Sequence, residues 1–328
     1  GGAAERPGGP ATRGARGDDE AGERRATHGR NSGSTGIGPR WDGQTAGTVQ
    51  RGRPRGRTTR RVGAGPPRRA GNGQVQVAGR PFSTVPTAIV TGSSRGIGAA
   101  VAERFARDGY DVAVNYHTSE TPAEQTAAAV RDAGAEAAVV GADVSDPDAA
   151  ERLVETAAAE LDGVDHLVNN AGIDQHVHTE DLDPDDFDRV MDVNVNSAFN
   201  CTKAALPHLR QSEAAPSPSV VNVSSILAHT GAAVECHYAG SKGAMLSLTR
   251  SHAADFAPEI RVNAVAPGHV ETDMTADRGS AEAAEELSQI PVGYFGQPVD
   301  VADAVAFLRD ARFVTGETLN VNGGERMG

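Results

Sequence analysis

The sequence predicts an α/β fold: a single domain built on a doubly wound parallel sheet, preceded by a disordered N-terminal extension. Two observations carry this prediction. From residue 87 onward, short apolar runs alternate with helical stretches of about a dozen residues, the pattern of a parallel sheet covered by helices on both faces. Residues 1–86 have no such pattern. They hold 16 Arg, no Lys and only 6 acidic residues, a net of +10, whereas residues 87–328 carry a net of −23. The overall −13 is therefore the sum of two oppositely charged parts.

The elements follow in order. "TAIVTG" is a buried first strand, and "GIGAAVAERFARDG" a helix stopped by Gly109. "DVAVNY" is the second strand, "TPAEQTAAAVRDAG" the next helix and "AEAAVVGADV" the third strand. "DPDAAERLVETAAAEL" and "VDHLVNNAG" add a helix and a fourth strand. A long helical segment runs from Pro184 to Arg210. "SVVNVSS", "IRVNAVAPG" and "ETLNVNGG" are the last three strands. In a sheet of this kind, ligands bind outside the carboxyl ends of the strands.

The extension is rich in Gly, Arg, Pro and Thr and has no apolar run able to offset the entropy of ordering its backbone. "RGRPRGRTTRR" would suit an RNA-binding arm, but Trp41 is its only aromatic before Phe82, so stacking platforms are missing. An organelle-targeting peptide would share the Arg excess, yet this segment is long, Gly-rich and without amphipathic period. The preferred expectation is a mis-set start, with translation beginning at Val85 from a GUG codon, because the first Met is Met191.

The acidic, lysine-poor body suits a high-salt cytoplasm or a GC-rich genome, and it discourages binding to nucleic acid or anionic membranes. Its two cysteines, Cys201 and Cys236, imply no disulfide framework, and no apolar run approaches a membrane span. A cytoplasmic enzyme is expected.

"TGSSRGIG" joins the first strand to the first helix and marks the sheet as Rossmann-type. Its glycines let the backbone approach a pyrophosphate, and the helix N-terminus offers free N–H donors. Gly92, Ser94, Arg95, Gly96, Ile97 and Gly98 are the candidate cofactor contacts. At the end of the second strand the sequence reads Asn115, Tyr116, His117, with no carboxylate until Glu120. An acid there would repel a 2′-phosphate, and Arg95 adds positive charge nearby. NADP(H) is favoured, with NAD(H) as the alternative.

Tyr238 and Lys242 stand four apart in a helical stretch, so they share one face. An ammonium there would draw the tyrosine pKa down from about 10 towards a working range. Ser225 closes the fifth strand, at the end of the sheet where a ligand sits. His176 and His178 offer no third metal ligand at helical or hairpin spacing, so no metal is expected.

"TGSSRGIG", "NNAG", "DVNV", Ser225, "YAGSK" and "PGHVETDM", in that order, resemble the short-chain dehydrogenase/reductase family across residues 87–328. The resemblance implies that Tyr238 donates a proton to a carbonyl oxygen as hydride arrives, and that Lys242 binds the nicotinamide ribose. It implies that Ser225 hydrogen-bonds the carbonyl and that Asn194 positions a relay water. Asp143, with Val144 beside it, resembles the adenine contact. Asn170, Ala171 and Gly172 would line the cofactor with Tyr116, while Pro267, Gly268 and Thr272 match the segment holding the carboxamide. A homotetramer is also implied.

Within the family, "RVNAVAPGHVETDM" and "FVTGETLNVNGG" look most like the 3-oxoacyl thioester reductases. Tyr294 departs from the Arg usual in them, "FLRDARFVTGE" is shorter than their form, and the segments that would dock an acidic carrier, "QSEAAPSPS" and "APE", contain no base. A coenzyme A thioester or a free carbonyl compound is therefore a rival to a carrier-bound substrate. A sugar or polyol dehydrogenase, and a non-catalytic binding protein of the same fold, are the alternatives.

Overall fold

The computed structural model describes residues 85–272 and 279–327; the expectations for residues 1–84 lie outside them. Seven strands form one parallel sheet: β1 (Thr87–Val90), β2 (Asp111–Tyr116), β3 (Ala137–Gly141), β4 (His166–Asn169), β5 (Ser219–Val223), β6 (Arg261–Pro267) and β7 (Thr318–Val321). Their spatial order is β3-β2-β1-β4-β5-β6-β7. All seven strands foreseen from the apolar runs are present. The order reverses direction at β1, and the crevice between β1 and β4 is where such a sheet presents a ligand site.

Alternation along the strands divides the core into two layers. Ala88, Val90, Val112, Val114 and Val265 pack with helices α1 (Gly96–Arg107), α2 (Glu120–Asp132) and α9 (Pro298–Asp310) on one face. Ile89, Ala113, Leu167, Val220 and Val262 pack with α3 (Pro147–Glu160) and α5 (Ser197–Leu209) on the other. Burial on both faces explains why the strands read as nearly continuous apolar runs. Just beyond α1, Gly109 has a φ of 87° and its N–H reaches the Ala106 carbonyl, closing the helix.

The segment expected as one helix from Pro184 to Arg210 is divided. Helix α4 (Pro184–Met191) passes into a π-helical turn, Asp192–Asn196, before α5 begins. The wider turn carries Asn194 against the backbone of Ile173, whose N–H donates to Asn194 Oδ1 at 2.8 Å and whose carbonyl accepts from Nδ2 at 3.0 Å. Periodicity could not reveal this, because the residue that widens the turn is held by a loop far away in sequence. Three further helices, α6 (Leu227–Thr230), α7 (Cys236–Phe256) and α8 (Ser280–Gln289), complete the set described.

Candidate active site

Backbone bonds beyond the strands keep the carboxyl ends level. Thr91 N–H donates to the Val168 carbonyl, Ser224 N–H to Val265 and Gly268 N–H to Val321. Above these ends lies one continuous cleft of about 1430 Å³. Every candidate catalytic and cofactor-binding residue lines it except Asn194, which is buried and turned towards Ile173 and Ser241.

At one end is the β1–α1 turn. Gly92 and Gly96 have φ of 60° and 58°, a region that side-chain-bearing residues seldom adopt. A Cβ on Gly92 would lie 2.8 Å from the Ala171 Cα, and one on Gly98 would lie 2.5 Å from both Asn170 Nδ2 and the Gly92 carbonyl. The turn is thus pressed against the loop after β4. Asn170 locks the two together, donating through Nδ2 to the carbonyls of Thr91 (2.9 Å) and Gly92 (3.0 Å). Thr91 Oγ1 in return accepts from the N–H groups of Asn170 and Ala171, both at 3.0 Å.

Asn115 joins the same lattice. Its Oδ1 accepts from Gly92 N–H at 3.1 Å and its Nδ2 donates to the carbonyls of Tyr116, Val140 and Ala142. Asn115, noted in the sequence only as a non-acidic residue at the end of the second strand, is therefore committed to holding the glycine turn. The residues fit a dinucleotide: among the described residues a Cβ on Gly96 would have only the Thr272 side chain nearby, at 3.7 Å or more, and the N-terminus of α1 lines the cleft. Farther along the cleft, His117 Nε2 lies 3.7 Å from Asp143 Oδ2, and the Ser145 hydroxyl bonds Asp143 Oδ1 at 2.7 Å, which holds that carboxyl below its usual range.

At the other end, α7 carries Tyr238 and Lys242 one turn apart. Lys242 is almost fully buried, donates from Nζ to the Val223 carbonyl at 3.0 Å, and sits 5.5 Å from the centre of the Tyr238 ring. The Ser224 hydroxyl donates to the Lys242 carbonyl at 2.8 Å and ties α7 to the end of β5. Ser225 accepts from Leu227 N–H at 3.2 Å and lies beside Tyr238, whose pKa its hydroxyl lowers. A Cβ on Gly172 would meet Asn194 Oδ1 at 3.2 Å and Lys242 Nζ at 3.4 Å. That glycine leaves room for both groups.

The sequence leads one to expect Lys242 to depress the Tyr238 pKa. In the protein alone the tyrosine is raised instead, first by burial and then by the negative charge of Asp174, with the Ser225 hydrogen bond opposing. Burial also pulls Lys242 down to about 8. The amine points to the Val223 carbonyl, and desolvation outweighs attraction at this separation.

Asp174, His176, Glu235, His269 and Glu286 line the cleft near Tyr238. Sequence reading passed over Asp174, Glu235 and Glu286, since they come from three separate segments and have no shared spacing.

A family model described as enoyl-(acyl carrier protein) reductase matches residues 92–325. The chain is 39% identical over 245 residues to the 3-oxoacyl-(acyl-carrier-protein) reductase FabG of Staphylococcus aureus (strain Mu50), covering 74% of this chain and 98% of that protein. It is also 39% identical over 243 residues to glucose 1-dehydrogenase 2 of Bacillus subtilis (strain 168), covering 73% and 93%. A solved short chain dehydrogenase from Burkholderia cenocepacia J2315, in complex with NADP, superposes with a TM-score of 0.68 at 36% identity, covering 73% of this chain and 97% of that one.

Proposed function

The chain belongs to the short-chain dehydrogenase/reductase family, and on that premise we propose that it interconverts a ketone and a secondary alcohol with NADP(H), the ketone being a 3-oxoacyl thioester. The observation that carries the chemistry is the convergence of Tyr238, Lys242 and Ser225 at the carboxyl end of β5 in a cleft that also holds the glycine turn.

A bound nicotinamide would supply a hydride to the carbonyl carbon. Tyr238 gives its phenolic proton to the carbonyl oxygen, so that one hydride and one proton convert C=O to CH–OH. Ser225 donates a hydrogen bond to the same oxygen as negative charge develops on it. Lys242, anchored on Val223, would hold the ribose hydroxyls. Asn194 acts behind these groups, fixing Ile173 and Ser241.

NADP(H) over NAD(H) rests on Arg95 in the glycine turn and on the absence of an acid among Asn115, Tyr116 and His117. The thioester rests on the C-terminal sequence and on the FabG relative. A second reading, a sugar or polyol, is favoured by the carboxylates of Asp174, Glu235 and Glu286 along the cleft, which would accept bonds from hydroxyls. Assembly as a tetramer, also proposed, would cover Phe187 and Phe199, exposed on α4 and α5; light scattering on the eluting protein reads the mass.

The test compares NADPH-dependent reduction of acetoacetyl-CoA with NADP- and NAD-dependent oxidation of a sugar panel, in wild type and Tyr238→Phe. The proposal expects reduction of the thioester, falling at least about a hundredfold in the variant while cofactor affinity is kept. Turnover of sugars alone selects the second reading; full activity in the variant refutes the assignment of Tyr238.

A further inference from the structure

Two loops that are distant in sequence meet at the rim of the cleft. Val177 N–H donates to the Val234 carbonyl at 2.7 Å, which aligns the segment after β4 with the segment leading into α7. Val234 has a φ of 59°, an uncommon and costly conformation for a β-branched residue. The next residue, Glu235, faces Asp174 and His176 across the gap.

His176 Nε2 lies 3.1 Å from Glu235 Oε1 and 3.4 Å from Asp174 Oδ2, and one ligand atom from each of the three residues falls within 4.8 Å of the others. We propose that Asp174, His176 and Glu235 bind one divalent transition-metal ion, of the zinc type, at this rim.

The donor set suits such an ion. Imidazole and carboxylate ligands hold zinc at about 2.0–2.2 Å, which separates neighbouring ligand atoms in a tetrahedron by roughly 3.4 Å. The separations of 3.1 and 3.4 Å about His176 match this. Two carboxylates and a neutral imidazole balance a double positive charge. Gln175 N–H occupies Asp174 Oδ1 at 2.7 Å and so leaves Oδ2 for the ion. Asp174 and Glu235 expose only 14% and 15% of their side chains, whereas His176 exposes 65% and gives the ion a path from solvent. Three protein ligands leave at least one position open, and all three residues line the cleft that also contains Tyr238.

The arrangement has a simpler counterpart, in which a protonated His176 merely pairs with two acids. The two differ in whether metal is taken up. The full chain, carrying no affinity-tag histidines and stripped with chelator, is titrated with Zn²⁺ by calorimetry and with Co²⁺ by visible absorption. The expected result is saturable Zn²⁺ binding and cobalt ligand-field bands in wild type. His176→Ala and Glu235→Gln each lower the affinity by at least about tenfold, while His178→Ala, an exposed neighbour, leaves it unchanged. Circular dichroism confirms that each variant remains folded, and the two ligand variants lie on different elements. No saturable uptake, or uptake equal in wild type, His176→Ala and Glu235→Gln, overturns the proposal. The readout does not depend on which substrate the protein turns over.

Discussion

Lys242 and Val223 meet where α7 crosses the end of β5, the ammonium donating to the main-chain carbonyl at 3.0 Å. The bond aims a single donor at a fixed point, beside Gly172, where an added Cβ would already come within 3.4 Å of the nitrogen. The chain has only two lysines against 29 arginines, and the other, Lys203, is exposed on α5. Arginine is a planar fork that cannot occupy the same volume. Lys242→Arg is expected to lower kcat/KM by about a hundredfold or more in steady-state assays; wild-type turnover would remove Lys242 from the mechanism.

The same lysine sets a pH limit. Burial lowers it to about 8, while Tyr238 is raised and keeps its proton far into the alkaline range. Reduction, which needs the ammonium and the phenol both protonated, should therefore decline as pH rises through about 8. A pH profile of kcat/KM for reduction checks this, and a flat profile to pH ~9.5 would contradict it.

Gly92 and Gly96 share a positive φ but not their surroundings. Gly92→Ala would force a methyl to 2.8 Å from the Ala171 backbone as well as straining the turn, and should cost about 2 kcal/mol, a Tm fall of roughly 4–8 °C. Among the described residues Gly96→Ala meets only the Thr272 side chain at 3.7 Å, so about 1 kcal/mol is expected, with a larger effect on dinucleotide affinity. Calorimetric melts together with cofactor titrations separate the two.

Arg95 stands at the start of α1 and lines the cleft. If it carries the preference for a 2′-phosphate, Arg95→Ala should weaken NADPH binding by about tenfold and leave NADH binding nearly unchanged. Fluorescence titration with each cofactor distinguishes this from a general loss of affinity.

His166 lies buried at the amino end of the central strand β4, its Nδ1 2.9 Å from Ser219 Oγ and its ring edge-on to Tyr110. Burial, with the positive charges of Arg309 and Arg261 and against the negative charge of Asp310, lowers it from 6.5 to about 3. The unfolded chain takes up this proton below about 6.5 and the folded chain does not, so stability is present above that pH and is lost as pH falls towards 3. The loss between pH 7 and 4.5 should be on the order of 2.5 kcal/mol. Urea denaturation at both values measures it, and His166→Gln should reduce the difference.

Much of the cleft was legible in the sequence because its signals are local. A glycine turn, a strand end and a one-turn pair on α7 are each short patterns, and their residues do line one cavity. Asn115 was legible as a residue near the ribose end but not as the brace of the glycine turn, since its partners Gly92, Val140 and Ala142 lie on three different segments. Asn194 was legible as a motif residue, while its retreat from the cleft depended on a π-helical turn that no period announces.

By itself, then, the sequence determined the parallel sheet, its doubly wound helices and the two ends of the cleft, because alternating burial and backbone freedom are imposed residue by residue along the chain. Only the tertiary structure decided how charge is distributed around Tyr238. Asp174, His176 and Glu235 become neighbours through the hydrogen bond between Val177 and Val234, and the pKa directions of Tyr238 and Lys242 follow from burial among groups that are far apart in sequence. Electrostatic energy depends on distance and solvent access in space, and neither is encoded by spacing along the chain.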